Sequence, residues 1–177
     1  MIMPAYRRVS LRIFATADAA RSAEVAAAIH AALDRYGAVR VTEAGPYWKI
    51  PADLEFTVDI EPPGPVADCF AAVCALTAGW SDDVWNKRDG LVFLHPAVSW
   101  AAIHQAEAAH LPALREGDTV VVRDGVAGRR DGLVGAQAVI EGVGVPENLD
   151  APWSYAVRPA GWETLIIFDE PDLKPVP

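Results

Sequence analysis

Residues 53 to 61 read Asp-Leu-Glu-Phe-Thr-Val-Asp-Ile-Glu, an alternation with a period of two. An extended strand points successive side chains to opposite faces, so Leu54, Phe56, Val58 and Ile60 share one side. Asp53, Glu55, Asp59 and Glu61 share the other. The pattern demands a sheet with one face buried against a second layer and the other face carrying carboxylates.

Elements of matching size flank this strand. Val9, Leu11 and Ile13 alternate with Ser10 and Arg12, which predicts a strand around residues 7 to 14. Thr16 or Asp18 can cap a helix whose inward stripe is Val25, Ile29, Leu33 and Tyr36, with Gly37 as its stop. Val39 and Val41 suggest another strand, broken at Gly45-Pro46. The run from Pro62 to Pro65 turns the chain into a second helix, with Val66, Phe70, Val73 and Leu76 inward and Gly79 at its end. A strand at Leu91 to His95 and a helix at Ser99 to His110 complete the first part. The order βαββαβ predicts a ferredoxin-like α/β sandwich over residues 1–111, in which the first and third strands are central neighbours.

Beyond Leu111-Pro112 the texture changes to short apolar stretches punctuated by glycine. Strands are expected at Thr119 to Arg123, Leu133 to Ile140, Trp153 to Val157 and Thr164 to Phe168. Residues 112–177 are therefore expected to form a small β-barrel, making the chain α+β with two domains.

Composition narrows the function. The 177 residues carry 24 acids against 15 lysines and arginines, a net charge of −9, and both parts are acidic. That balance disfavours nucleic-acid backbones and anionic membranes as partners and favours basic proteins. No window has transmembrane length, and Met1 to Ser10 lacks the apolar run of a signal peptide. Cys69 and Cys74 would point about 140° apart on a helix and read as buried thiols of a reducing cytoplasm. A cytoplasmic location is expected.

No residue set has catalytic or metal-ligand spacing. His30, His95, His104 and His110 form no zinc-type pair. Gly125 to Gly128 and Gly142 to Gly144 lack the lysine and helix of a phosphate loop and read as turns. No cofactor, metal or catalytic residue is assigned. The candidate residues are those suited to a protein interface. Arg8 and Arg12, on the polar side of the first strand, are placed to neutralise part of the carboxylate row. Glu61 with Asp82 and Asp83 then remains as a negative patch. The turn Trp80-Ser81-Asp82-Asp83-Val84-Trp85 sets aromatic anchors around paired acids, with Trp85 as the candidate anchor. Trp153, the loop 146 to 153, Asp169, Glu170 and Asp172 form a second candidate surface.

Glu116-Gly117-Asp118-Thr119-Val120-Val121-Val122-Arg123, Gly132 to Gly135 with Val139 to Glu141, Trp153 to Val157, and Phe168 to Leu173 together resemble the SH3-like barrels of bacterial toxin-immunity proteins. The acidic first part is similar in style to immunity proteins of contact-dependent growth inhibition systems. The resemblance implies a protein that binds a basic toxin domain, of the nuclease kind, and carries no catalytic residue. Two alternatives remain open on the residues alone. One is a small hydrolase-type enzyme or enzyme subunit with a site between the two halves; the other is a peptide-binding adaptor.

Overall fold

The computed structural model describes residues 3–146 and 148–177. The chain divides into two compact units. One is Arg7–Ala106, and the other is Glu107–Pro177 together with the segment ending at Tyr6. The fold is mixed α+β, built on two sheets.

The elements run β1 (Tyr6–Thr16), α1 (Ser22–Leu33), β2 (Ala38–Tyr47), β3 (Ile50–Glu61), α2 (Val66–Cys74), β4 (Trp80–Ser81), β5 (Val84–Asn86) and β6 (Val98–Ala108). They continue as β7 (Thr119–Val122), α3 (Val126–Arg130), β8 (Gln137–Gly144), β9 (Ser154–Pro159), β10 (Ile166–Asp169) and β11 (Leu173–Pro175).

The first sheet has the order β2-β3-β1-β6-β5-β4. The period-two strand is β3, and its four apolar side chains are buried as the alternation requires. They meet Val9, Leu11 and Ile13 of β1, Val25, Ile29 and Leu33 of α1, and Val66, Cys69 and Val73 of α2 in one core. Both helices thus cover the same face of the sheet. α1 begins at Ser22 after a 3-10 turn at Ala19–Arg21, and neither Thr16 nor Asp18 caps it. Gly37 follows α1 where the chain passes close to the end of β3. A Cβ there would lie 2.2 Å from the Glu61 carbonyl oxygen, so only glycine fits.

Three expectations are corrected here. Ser99 to His110 does not form a helix: Val98–Ala108 is a strand, lying between β1 and β5. Its alanines have high helix propensity, but Val98, Ala101 and Ile103 are buried in the core, and packing outweighs propensity. Leu91 to His95 is not a strand; it holds a single bridge between Phe93 and His95, and Leu94 takes φ +63°. The second helix stops at Cys74, before Gly79.

The second sheet has the order β10-β9-β8-β7-β11. Its core gathers Val120, Val122, Ile140, Tyr155, Val157, Phe168 and Leu173, with Tyr6 packed at its margin. The small SH3-like barrel expected for residues 112–177 is not closed: β10 and β11 end opposite edges and do not pair with each other. The turn expected at Gly125 to Gly128 contains the one-turn helix α3. Gly128 is buried there, with 2.7 Å between the position a Cβ would take and the Arg123 carbonyl oxygen. The Gly117-Asp118 opening of β7 has a local cause as well. Gly117 takes φ +90°, and Asp118 Oδ2 accepts the Arg115 N–H at 2.8 Å.

Candidate partner-binding surface

The carboxylate row of β3 is partnered within its own sheet, two members by arginine and two by hydroxyls. β1 and β3 pair antiparallel, with Ser10 opposite Asp59 and Thr16 opposite Asp53. Arg8 reaches Glu61 at 2.8 Å, and Arg12 reaches Glu55 at 2.6 Å. Ser10 Oγ donates to Asp59 at 2.6 Å, and Thr16 Oγ1 donates to Asp53 at 2.6 Å. Glu61 borders a shallow depression with Arg8, Arg40 and Asp59, so its surroundings are mixed in charge. Asp53, expected on the solvent side, is buried at the end of the row.

The same face holds an aromatic stack that sequence spacing does not reveal. Phe14 lies between Tyr47, with ring centroids 4.4 Å apart, and Trp100, at 5.0 Å. The Arg12 guanidinium sits 4.9 Å from the Phe14 ring centre, a cation–π contact at the edge of the acidic row. Trp48, at the tip of the β2–β3 hairpin, is 78% exposed.

Trp80 to Trp85 forms a tight hairpin, β4 pairing with β5, and Asp82 and Asp83 occupy its tip. Asp82 takes φ +50°, a conformation that aspartate tolerates better than most residues. Both aspartates are exposed. Neither is in an ion pair among the described residues. Trp85 is not at the surface: it is wholly buried, and its indole N–H donates to the Ala78 carbonyl at 3.0 Å. A ring with no accessible area offers nothing to a partner; its role is to fasten the base of the hairpin.

Trp153 is likewise buried, donating to the His110 carbonyl at 3.0 Å and meeting Tyr6 edge-on at 5.0 Å. Glu170 is half-buried and fully engaged. It accepts from Tyr155 Oη at 2.5 Å and from the Ala113 N–H at 3.0 Å, and lies 3.0 Å from His110 Nε2. Burial pushes its carboxyl upward, but the three hydrogen-bond donors outweigh burial and hold it below the ordinary glutamate range. Burial, reinforced by the bond to Glu170, pushes the Tyr155 phenol well up. Asp172 is half-buried, and its carbonyl accepts from the Arg123 N–H. Asp169 is exposed. Of the loop 146 to 153, Glu147 lies outside the described residues, and Asn148 Oδ1 closes a local turn on the N–H groups of Asp150 and Ala151.

An open cleft at the end of β1 is lined by Thr16, Arg21, Glu24, Lys87, His95 and Ser99. Sequence spacing gave no sign of it, since these residues come from distant segments. Arg21 grips Glu24 through two nitrogens, at 2.9 and 3.0 Å, and holds its carboxyl below the ordinary range. The Ala97 N–H donates to His95 Nδ1 at 3.0 Å, which places the hydrogen of the neutral ring on Nε2, 3.6 Å from Glu24. These contacts hold the turn that leads into β6. Burial raises both cysteine thiols, so neither has the low pKa of a nucleophile. Among the described residues no three or more His, Cys, Asp or Glu side chains are grouped to hold a metal ion. Among the described residues no helix is long and apolar enough to cross a membrane.

No family model, curated protein or solved structure matches the chain.

Proposed function

We propose that the protein is an immunity protein, which binds a basic toxin domain of the nuclease kind and neutralises it by covering its substrate groove. The observation that carries this reading is the contrast between two acidic features. The β3 row is matched by Arg8, Arg12, Ser10 and Thr16 inside its own sheet. The Asp82–Asp83 tip has no such match, and it projects from a hairpin rooted in the core by Trp85. Carboxylates held in place can occupy positions where a nuclease expects phosphates, and a chain of net charge −9 speeds encounter with a cationic domain.

The strand order supports a ferredoxin-like reading of the first unit. β2-β3-β1-β6, with α1 and α2 as the connections, is the order of such a sandwich, and the β4–β5 hairpin is then an addition at the β6 side. An added element that carries unpaired charge is where a scaffold displays a binding site.

The test is co-expression with the toxin domain encoded beside this chain in its native host, read as growth rescue and as affinity of the purified pair. Asp82→Lys with Asp83→Lys should weaken binding roughly tenfold or more at low ionic strength, and the loss should shrink as salt screens the charges. Equal affinity for the double variant at low salt removes the hairpin tip from the interface. Turnover of a small compound by the purified chain alone removes the binding reading altogether.

A further inference from the structure

A sheet that ends in solvent exposes unpaired N–H and C=O groups, and proteins blunt such edges with short strands, lysine, proline or bulges. Among the described residues, the four sheet edges carry such devices to different degrees. β2 has Arg40, Glu43 and Pro46, with register shifts between Glu43 and Gly45 and between Pro46 and Tyr47. β4 is two residues long. β11 is three residues long and contains Lys174 and Pro175.

The fourth edge is short too, at four residues, and ends in the exposed Asp169, but it lacks the others. β10 reads Ile-Ile-Phe-Asp and pairs with β9 without a register shift. It has no lysine, proline or bulge. Ile167 is 60% exposed, the preceding Leu165 45% and the nearby Trp162 43%. Beside Ile167 the sheet surface is floored by small residues, Ala156 opposite it on β9 and Gly142 opposite Ala156 on β8. The exposed acids Glu163 and Asp169 stand at the two ends of this apolar run, and neither is in an ion pair among the described residues.

We propose that the β10 edge seats an extended segment of the basic partner, apolar at alternate positions and bearing lysine or arginine at both ends. The segment adds a strand to the sheet by backbone hydrogen bonds, its apolar side chains lie against Ile167 and Leu165, and its terminal cations meet Glu163 and Asp169. The inference rests on the reading that this chain acts by binding a basic protein. Charge selects that occupant over a second copy. A second copy would join two chains of net charge −9.

The probe is a short synthetic peptide of alternating valine and threonine with lysines at both ends, compared with a counterpart ended by glutamates. Amide hydrogen exchange of the full chain is followed residue by residue. The lysine-ended peptide should slow exchange along residues 165–169 saturably, and the glutamate-ended one should not. Ile167→Lys and, separately, Leu165→Lys should each weaken the effect by about tenfold or more while leaving the rest of the exchange pattern intact. No slowing at β10, or equal slowing by both peptides, overturns the proposal. Slowing that grows with protein concentration in the absence of peptide assigns the edge to a second copy instead and equally overturns it. Growth rescue that survives in Ile167→Lys keeps the immunity reading and removes the edge from it, so the two failures are told apart.

Discussion

Replacing Trp85 by alanine is expected to destabilise the Arg7–Ala106 unit by about 3–5 kcal/mol, the range for truncating a fully buried large aromatic. The ring has no exposure, lies 5.6 Å from the centre of Phe93 and satisfies the Ala78 carbonyl. Truncation leaves an indole-sized void and strands that carbonyl. Trp85→Phe keeps most of the packing and loses the hydrogen bond, so about 1–2 kcal/mol should be lost. Urea unfolding followed by circular dichroism measures both. An alanine variant within about 1 kcal/mol of the parent would show that the site collapses without cost, contrary to the packing described here. The proposed function adds a second expectation. Because Trp85 roots the hairpin, its loss should weaken toxin binding although the charges of Asp82 and Asp83 are untouched.

The second large effect is expected at Glu170. Its carboxylate holds Tyr155, the Ala113 N–H and His110 together. Glu170→Ala leaves the buried Tyr155 O–H without its acceptor, although the Leu114 N–H still donates to the oxygen, and should cost about 1–3 kcal/mol. Glu170→Gln retains an acceptor without the charge and should cost roughly half as much.

The pH dependence has a definite sign. The folded pKa of Glu170 is depressed, so its contribution is fully present above the ordinary value of 4.5 and is lost as pH falls through the folded value. Tyr155 is shifted the other way. Its contribution is present below the ordinary value of 10.0 and is lost as pH rises toward its raised folded value. Urea midpoints across the acid range should therefore fall less steeply for Glu170→Gln than for the parent, and Tyr155→Phe should flatten the alkaline limb. An unchanged acid limb in Glu170→Gln would mean that this carboxylate is not the titrating group.

Periodicity made the centre of the first unit legible. The alternation in β3 and β1, and the spacing of Val25, Ile29 and Leu33, each name one face, and a face needs only local sequence to be read. The Arg8 and Arg12 pairings followed from the same alternation. β6 was not legible, because its alanines speak for a helix and only the gap between β1 and β5 turns them into a strand. Burial of individual tryptophans was not legible either. Trp48 and Trp85 both adjoin polar turns, yet one sits on a hairpin tip and the other points inward from a strand. The two hydroxyl–carboxylate bonds, Ser10 to Asp59 and Thr16 to Asp53, depend on register, which two separate stretches of sequence do not fix by themselves. The bare β10 edge is invisible before strand order is known, since nothing in Ile-Ile-Phe-Asp says whether a neighbour lies on one side or both.

The division of the chain has a consequence during translation. The Arg7–Ala106 unit is contiguous and leaves the ribosome whole. The other unit draws on the segment ending at Tyr6, whose ring packs against Trp153. The segment ending at Tyr6 must therefore wait for residues made after the Arg7–Ala106 unit, which can fold before its neighbour is complete.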